Sequence, residues 1–111
     1  MGLEAKHCVP CQGGVEPMGR EQAEAMLEQV PGWALDESAT RLYRKFRTRD
    51  FMAAVELVGR VAEIAEAEDH HPDLVLGYGY AEVWIHTHKI GGLHENDFIL
   101  AARINQREDG G

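Results

Sequence analysis

The sequence predicts an α+β fold: a four-stranded antiparallel sheet with helices packed on one face, in the order α-β-β-α-β-β-α. Three observations predict it. Apolar residues recur at helical spacing in three separated stretches. Two pairs of short β-type segments lie between those stretches. The links inside each pair are of the hairpin type, which suits an antiparallel sheet rather than a parallel crossover.

The first helix is "EQAEAMLEQV", with Ala23, Met26, Leu27 and Val30 on one side and charges opposite; Pro31-Gly32 stops it. "GWALD" and "RLYRKFRT" read as two strands joined by a turn at "ESA", the second with imperfect alternation. "FMAAVELVGRVAEIAEAE" is the strongest helix. Phe51, Val55, Val58, Val61, Ala62 and Ala65 form its expected stripe, widened by Met52, Leu57 and Ile64. So broad an apolar face serves both a sheet and a neighbouring subunit. Pro72 requires the helix to end at or before His70-His71. In "LVLGYGYAEVWIHTH", Gly77 and Gly79 bracket a reversal. The following strand alternates: Ala81, Val83, Ile85 and Thr87 face the helices, while Glu82, Trp84, His86 and His88 face away. "GGLHENDFILAARIN" opens the last helix, with His94 as cap and Phe98 placed to staple back to Leu93.

A chain of 111 residues is expected to make one domain. Residues 1–18 read as a flexible extension, 19–105 as the folded domain, and "QREDGG" at 106–111 as a disordered tail. The formal charge of −8 argues against a nucleic-acid partner, which demands a positive field. The basic stretch Arg41–Asp50 leaves a local anion patch or a solvated strand face open. No apolar run approaches the roughly 20 residues of a membrane span, and the N-terminus lacks a secretory h-region and a myristoylation pattern. A soluble, cytoplasmic protein is the expectation. Cys8 and Cys11 form a lone Cys-x-x-Cys pair in a Gly-rich lead-in, with His7 beside it. A tail of unassigned role, a metal or intermolecular contact, and redox chemistry all remain open.

"EDHHPD" at Glu68–Asp73 concentrates two of the six histidines at a helix end. Imidazole, with an ordinary pKa of about 6.5, gives or takes a proton near neutrality. Glu66 precedes His70 by one helical turn, so a carboxylate can orient it. Three readings of His70, His71 and His88 compete: a zinc site using His86 as well, a helix C-terminus where imidazolium favours the dipole, and acid/base catalysis. Residue spacing leaves all three open.

The stretch "AEAEDHHPDLVLGYGYAEVWIHTHKIGGLHENDFILAARI", Ala65 to Ile104, resembles the pterin-4a-carbinolamine dehydratase family. It carries an acidic-x-x-x-His-His-Pro signature, a Tyr after a short gap, then Thr-His, Gly-Leu and Asp at the expected intervals. The upstream "PGW" and the helix beginning "DF" extend the similarity to about Gly19–Ile104. The resemblance implies a dehydratase that removes water from 4a-hydroxytetrahydropterin to give quinonoid dihydropterin, in pterin recycling or repair. It implies no metal, no organic cofactor, and assembly as a homodimer or homotetramer. The family's histidines fall on His70, His71 and His88, and its supporting acids on Glu66, Asp69 and Asp97. Leu74 and Thr87 complete the expected substrate-binding set.

The chain departs from the family pattern at two places. Leu74 stands where many relatives carry Trp, and His94 where Ser or Thr usually caps the last helix. His86 is expected at a subunit interface rather than at substrate. The alternatives are a protein-binding regulatory module on the same fold, as in animal relatives that act as coactivators, or a dehydratase-like protein of molybdopterin metabolism. An intact histidine set favours catalysis.

Overall fold

Secondary structure follows the turn chemistry of the chain closely. The computed structural model describes residues 2–9 and 15–109. Its elements are α1 (Arg20–Leu27), β1 (Ala34–Leu35), β2 (Leu42–Arg47), α2 (Phe51–Glu68), β3 (Asp73–Gly77), β4 (Tyr80–Ile85) and α3 (Glu95–Asp109). Short 3-10 turns occur at Leu3–Ala5 and His88–Ile90. The expected order α-β-β-α-β-β-α is the order found. The four strands form one antiparallel sheet in spatial order β1-β2-β4-β3.

Each link is set by local chemistry. Between β1 and β2, the Asp36 carboxylate accepts from the backbone N–H groups of Thr40 and Arg41 at 2.8 and 3.0 Å. Asp50 caps α2 by accepting from Ala53 N–H at 2.8 Å. Tyr78-Gly79 forms the two-residue turn from β3 to β4, and Gly79 has a positive φ of 82° at the second turn position, as a type II turn requires.

The alternation read in the fourth strand is the alternation found. Ala81, Val83 and Ile85 are fully buried beneath the helices, while Glu82, Trp84 and His86 are half-buried on the other face. Phe98, Leu100 and Ile104 of α3 close the core over them, joined by Leu42 and Leu93. Among the described residues, no helix is long and apolar enough to cross a membrane.

Three expectations change. The core face of α2 is Ala54, Leu57, Val61 and Ala65, flanked by Val58 and Ile64. Phe51, Met52, Val55 and Ala62 of the expected stripe are exposed instead. The helix is apolar over more than half its girth, so only its seat on β3, β4 and α3 could select the inward face. The C-terminal residues 106–109, read as disordered, extend α3. Ion pairs from Arg60 to Glu108 at 2.7 Å and Arg44 to Asp109 at 2.7 Å fix that end. The N-terminal extension, read as flexible, is packed where it is described: Leu3 is buried against α3.

Candidate active site

The way α2 ends builds the first half of the site. The chain leaves the helix through Asp69, whose φ of 52° lies in the left-handed region. Asp69 N–H then bonds to Glu66 C=O and His70 N–H to Ala65 C=O, at 3.2 and 3.1 Å. That pair of bonds is a Schellman closure, here with Asp in the place glycine usually takes. The reversal sends the two histidines to different partners. His70, with its side chain 12% exposed, sets Nε2 2.6 Å from Asp97 Oδ1. His71 is exposed and sets Nε2 2.7 Å from Glu66 Oε1. Helical spacing had placed Glu66 beside His70. That spacing stops applying once Asp69 breaks the helix, so Glu66 orients His71 and Asp97 orients His70.

Asp97 joins three elements through one fully buried carboxylate. Its Oδ2 accepts from Thr87 Oγ1 at 2.8 Å and from the backbone N–H of His94 at 2.9 Å. His94 itself caps α3, its Nδ1 accepting from Asn96 N–H at 3.0 Å. The two bonds, His94 side chain to the second helical N–H and Asp97 at the third position back to the cap N–H, make a variant of the capping box built from His and Asp.

The second half comes from the end of β4. His88 opens the 3-10 turn, beyond the strand's last residue at Ile85, and a bridge between Thr87 and Gly92 holds the turn. His86 and His88 stay together, their rings 4.0 Å apart and edge-on. Burial, reinforced by the neighbouring His88, makes His86 less basic than an ordinary imidazole.

These pieces meet at one cavity of about 550 Å³, lined by His70, His71, His86, His88, Asp69 and Thr87. That volume is within the range of small-molecule sites. Asp97 stands behind His70 and Thr87 rather than in the wall. Two more expected residues lie outside. Glu66 reaches the site only through His71. Leu74 sits opposite buried Val83 on the inner face of the sheet and packs on the core, because strand alternation turns Asp73 and Val75 outward in its stead. His86, expected at an interface, lines the cavity. Among the described residues, no group of three or more His, Cys, Asp or Glu is arranged to hold a metal ion.

Ala67, Glu68, Lys89 and Asn96 also line the cavity, and periodicity gave no sign of a further part of its wall, which comes from the N-terminal extension: Cys8 and Val9. Glu68 holds this segment. Burial opposes ionisation of its carboxyl, but hydrogen bonds from Cys8 N–H and His7, with Arg103 nearby, outweigh burial and keep it below the usual carboxylate range. Burial, then the Glu68 charge, pushes the Cys8 thiol up to about 12, so it is protonated near neutrality and a poor nucleophile. Cys11, its partner in the Cys-x-x-Cys pair, lies outside the described residues.

Comparison with known proteins shows the family and the fold. The model of a family described as pterin 4 alpha carbinolamine dehydratase matches residues 16–107. A protein of Halorhodospira halophila, provisionally named a pterin-4-alpha-carbinolamine dehydratase, is 66% identical over 95% of this chain and 96% of its own. One of Methylococcus capsulatus under the same provisional name is 52% identical over 94% and 91%. A crystal structure from Brucella melitensis, titled a transcriptional coactivator/pterin dehydratase, superimposes with a TM-score of 0.75 at 27% identity, covering 81% of this chain and 96% of that one. The chain belongs to the pterin 4 alpha carbinolamine dehydratase family.

Proposed function

We propose that this protein eliminates water from 4a-hydroxytetrahydropterin by histidine acid/base catalysis. The observation that carries the reading is the convergence of His70, His71 and His88 on one cavity, with Asp97 buried behind His70. In the substrate, a ring nitrogen next to C4a supplies the electron pair that expels the hydroxyl. The C–O electrons leave with oxygen, which must be protonated as the bond breaks because hydroxide is a poor leaving group. A base collects the proton lost from the pterin ring, so water and quinonoid dihydropterin form with no net change in protons. Such positioned groups contribute about 10²–10⁴-fold each.

The residues divide the work as follows. With Nε2–H given to Asp97, the other nitrogen of His70, Nδ1, keeps its lone pair and exchanges a proton with substrate. His88, at the rim, performs the complementary transfer. His71, held by Glu66, positions substrate, and Asp69 shapes the wall. Thr87 fixes the Asp97 carboxylate. The exposed apolar row of Phe51, Met52 and Val55 on α2 is the surface through which the chain forms a homodimer or homotetramer.

The test is dehydration of enzymatically generated 4a-hydroxytetrahydropterin, followed by absorbance. His70→Ala and His88→Ala should each lower kcat by about 10²-fold or more. Near-normal turnover in both variants would remove the assignment.

A further inference from the structure

Residues 6–9 bring Cys8 and Val9 to the histidine cavity and are tied down at every step. Lys6 Nζ reaches Glu95 at 2.8 Å, and Arg103 Nε donates to Lys6 C=O at 2.8 Å. His7 Nδ1 lies 2.8 Å from Glu68 Oε2, and Cys8 N–H donates to the other carboxylate oxygen at 2.7 Å. The Asn96 amide closes the series: its Oδ1 accepts from Val9 N–H at 2.9 Å and its Nδ2 donates to Val9 C=O at 2.6 Å. Asn96 is 2% exposed. A buried primary amide must find partners for its donors and its acceptor, and this one spends both ends on the backbone of a single residue. Its neighbour in sequence is Asp97, and Glu68 stands two residues before His70. The anchors of the segment are therefore built into the same two turns that place the catalytic groups.

The clamp holds two small uncharged side chains at the cavity. Val9 is 57% exposed, an apolar group kept at the edge of a hollow whose other lining is mostly imidazoles and polar groups, with Ala67 the one further aliphatic side chain. We propose that Val9, with Cys8 beside it, is the specificity-determining apolar wall of the substrate cavity, packing on one face of a bicyclic ring, and that Asn96 is the positioning residue that holds this wall. The proposal rests on the pterin reading above. It gives the extension a binding role, whereas proton transfer belongs to the histidines. Val9 exchanges no proton with the ring it covers, so its contact holds ground state and transition state alike, and its loss raises KM and spares kcat.

The experiment compares Val9→Gly, Val9→Ile and Asn96→Ala with the full-length protein, by steady-state kinetics on 4a-hydroxytetrahydropterin and by calorimetric titration with 7,8-dihydropterin. Val9→Gly and Asn96→Ala should raise KM and the dissociation constant by about 5–10-fold, the scale expected for one uncovered apolar side chain. Their kcat should stay within about twofold, and Val9→Ile should bind as the unchanged protein does. Because Val9 is exposed, its variants test the wall even where Asn96→Ala proves unstable. Unchanged KM and affinity in Val9→Gly overturn the proposal, as does a loss confined to kcat. If the unchanged protein fails to dehydrate the substrate but binds dihydropterin in a Val9-dependent way, the proposed function falls and the wall stands.

Discussion

Asp97→Asn separates the electrical role of the buried carboxylate from its structural one. The wild-type side chain has three partners: His70 Nε2 at 2.6 Å, Thr87 Oγ1 at 2.8 Å and His94 N–H at 2.9 Å. Thr87 and His94 share one oxygen, so an Asn amide can keep its carbonyl on them and turn its NH₂ toward His70. The helix cap and the Thr87 bond then survive. What changes is the imidazole: facing a donor, Nε2 must accept, and the ring proton moves to Nδ1, the nitrogen proposed to serve substrate. Exchanging charge-assisted bonds for neutral ones costs about 1 kcal/mol, a Tm decrease of about 4–8 °C in a domain of this size. The catalytic loss should be far larger, about 10²–10⁴-fold in kcat, because the wrong tautomer cannot take the proton. Asp97→Ala should behave differently. It strands the Thr87 hydroxyl and the His94 N–H in the interior, at about 1–3 kcal/mol each, and so should unfold the protein well before chemistry can be judged. Thermal unfolding and single-turnover dehydration, measured on the same preparations, provide the comparison. An Asp97→Asn protein that melts as expected yet retains kcat within threefold of the parent would refute the tautomer argument.

Two further outcomes follow from the geometry. Because the folded-state pKa of Glu68 is depressed below its ordinary value of 4.5, the unfolded chain binds the proton more readily. The stabilisation from Glu68 is therefore fully present above about pH 4.5 and is lost as pH falls through the lower folded value. The stability difference between the parent and Glu68→Gln, by urea denaturation, should be constant from pH 7 to about pH 5 and shrink below it; a gap that widens on acidification contradicts the sign. On α2, Phe51→Glu with Val55→Glu should leave the fold intact, since both side chains face solvent, and should lower the mass measured by sedimentation from oligomer to monomer. An unchanged mass would place the interface elsewhere.

How much of this was legible in the sequence differs by element. The bounds of α2 were, because Pro72 and the Asp-Phe start are local signals. So was the inward row of β4, since a strand's period of two leaves little freedom once one face is apolar. His94 as a cap could be read from its place before a helical pattern. The partner of each histidine could not. Glu66 was assigned to His70 by helical spacing, and a left-handed residue at Asp69 gave it to His71 instead. Leu74 was assigned to the pocket by family position, and strand alternation turned it into the core. The helical end at 106–109 carries no apolar pattern; distant ion pairs to Arg44 and Arg60 hold it.

By itself, then, the sequence determined what short-range chemistry controls: the type and order of the elements, the turns, and the histidines and acids available to the candidate site. Tertiary structure alone decided which side of α2 is core, which carboxylate each imidazole meets, and that residues 6–9 become part of the cavity. The physical reason is separation along the chain. Glu68 and Asn96 hold Cys8 and Val9 from 60 and 87 residues away, and no local propensity encodes a hydrogen bond across that span.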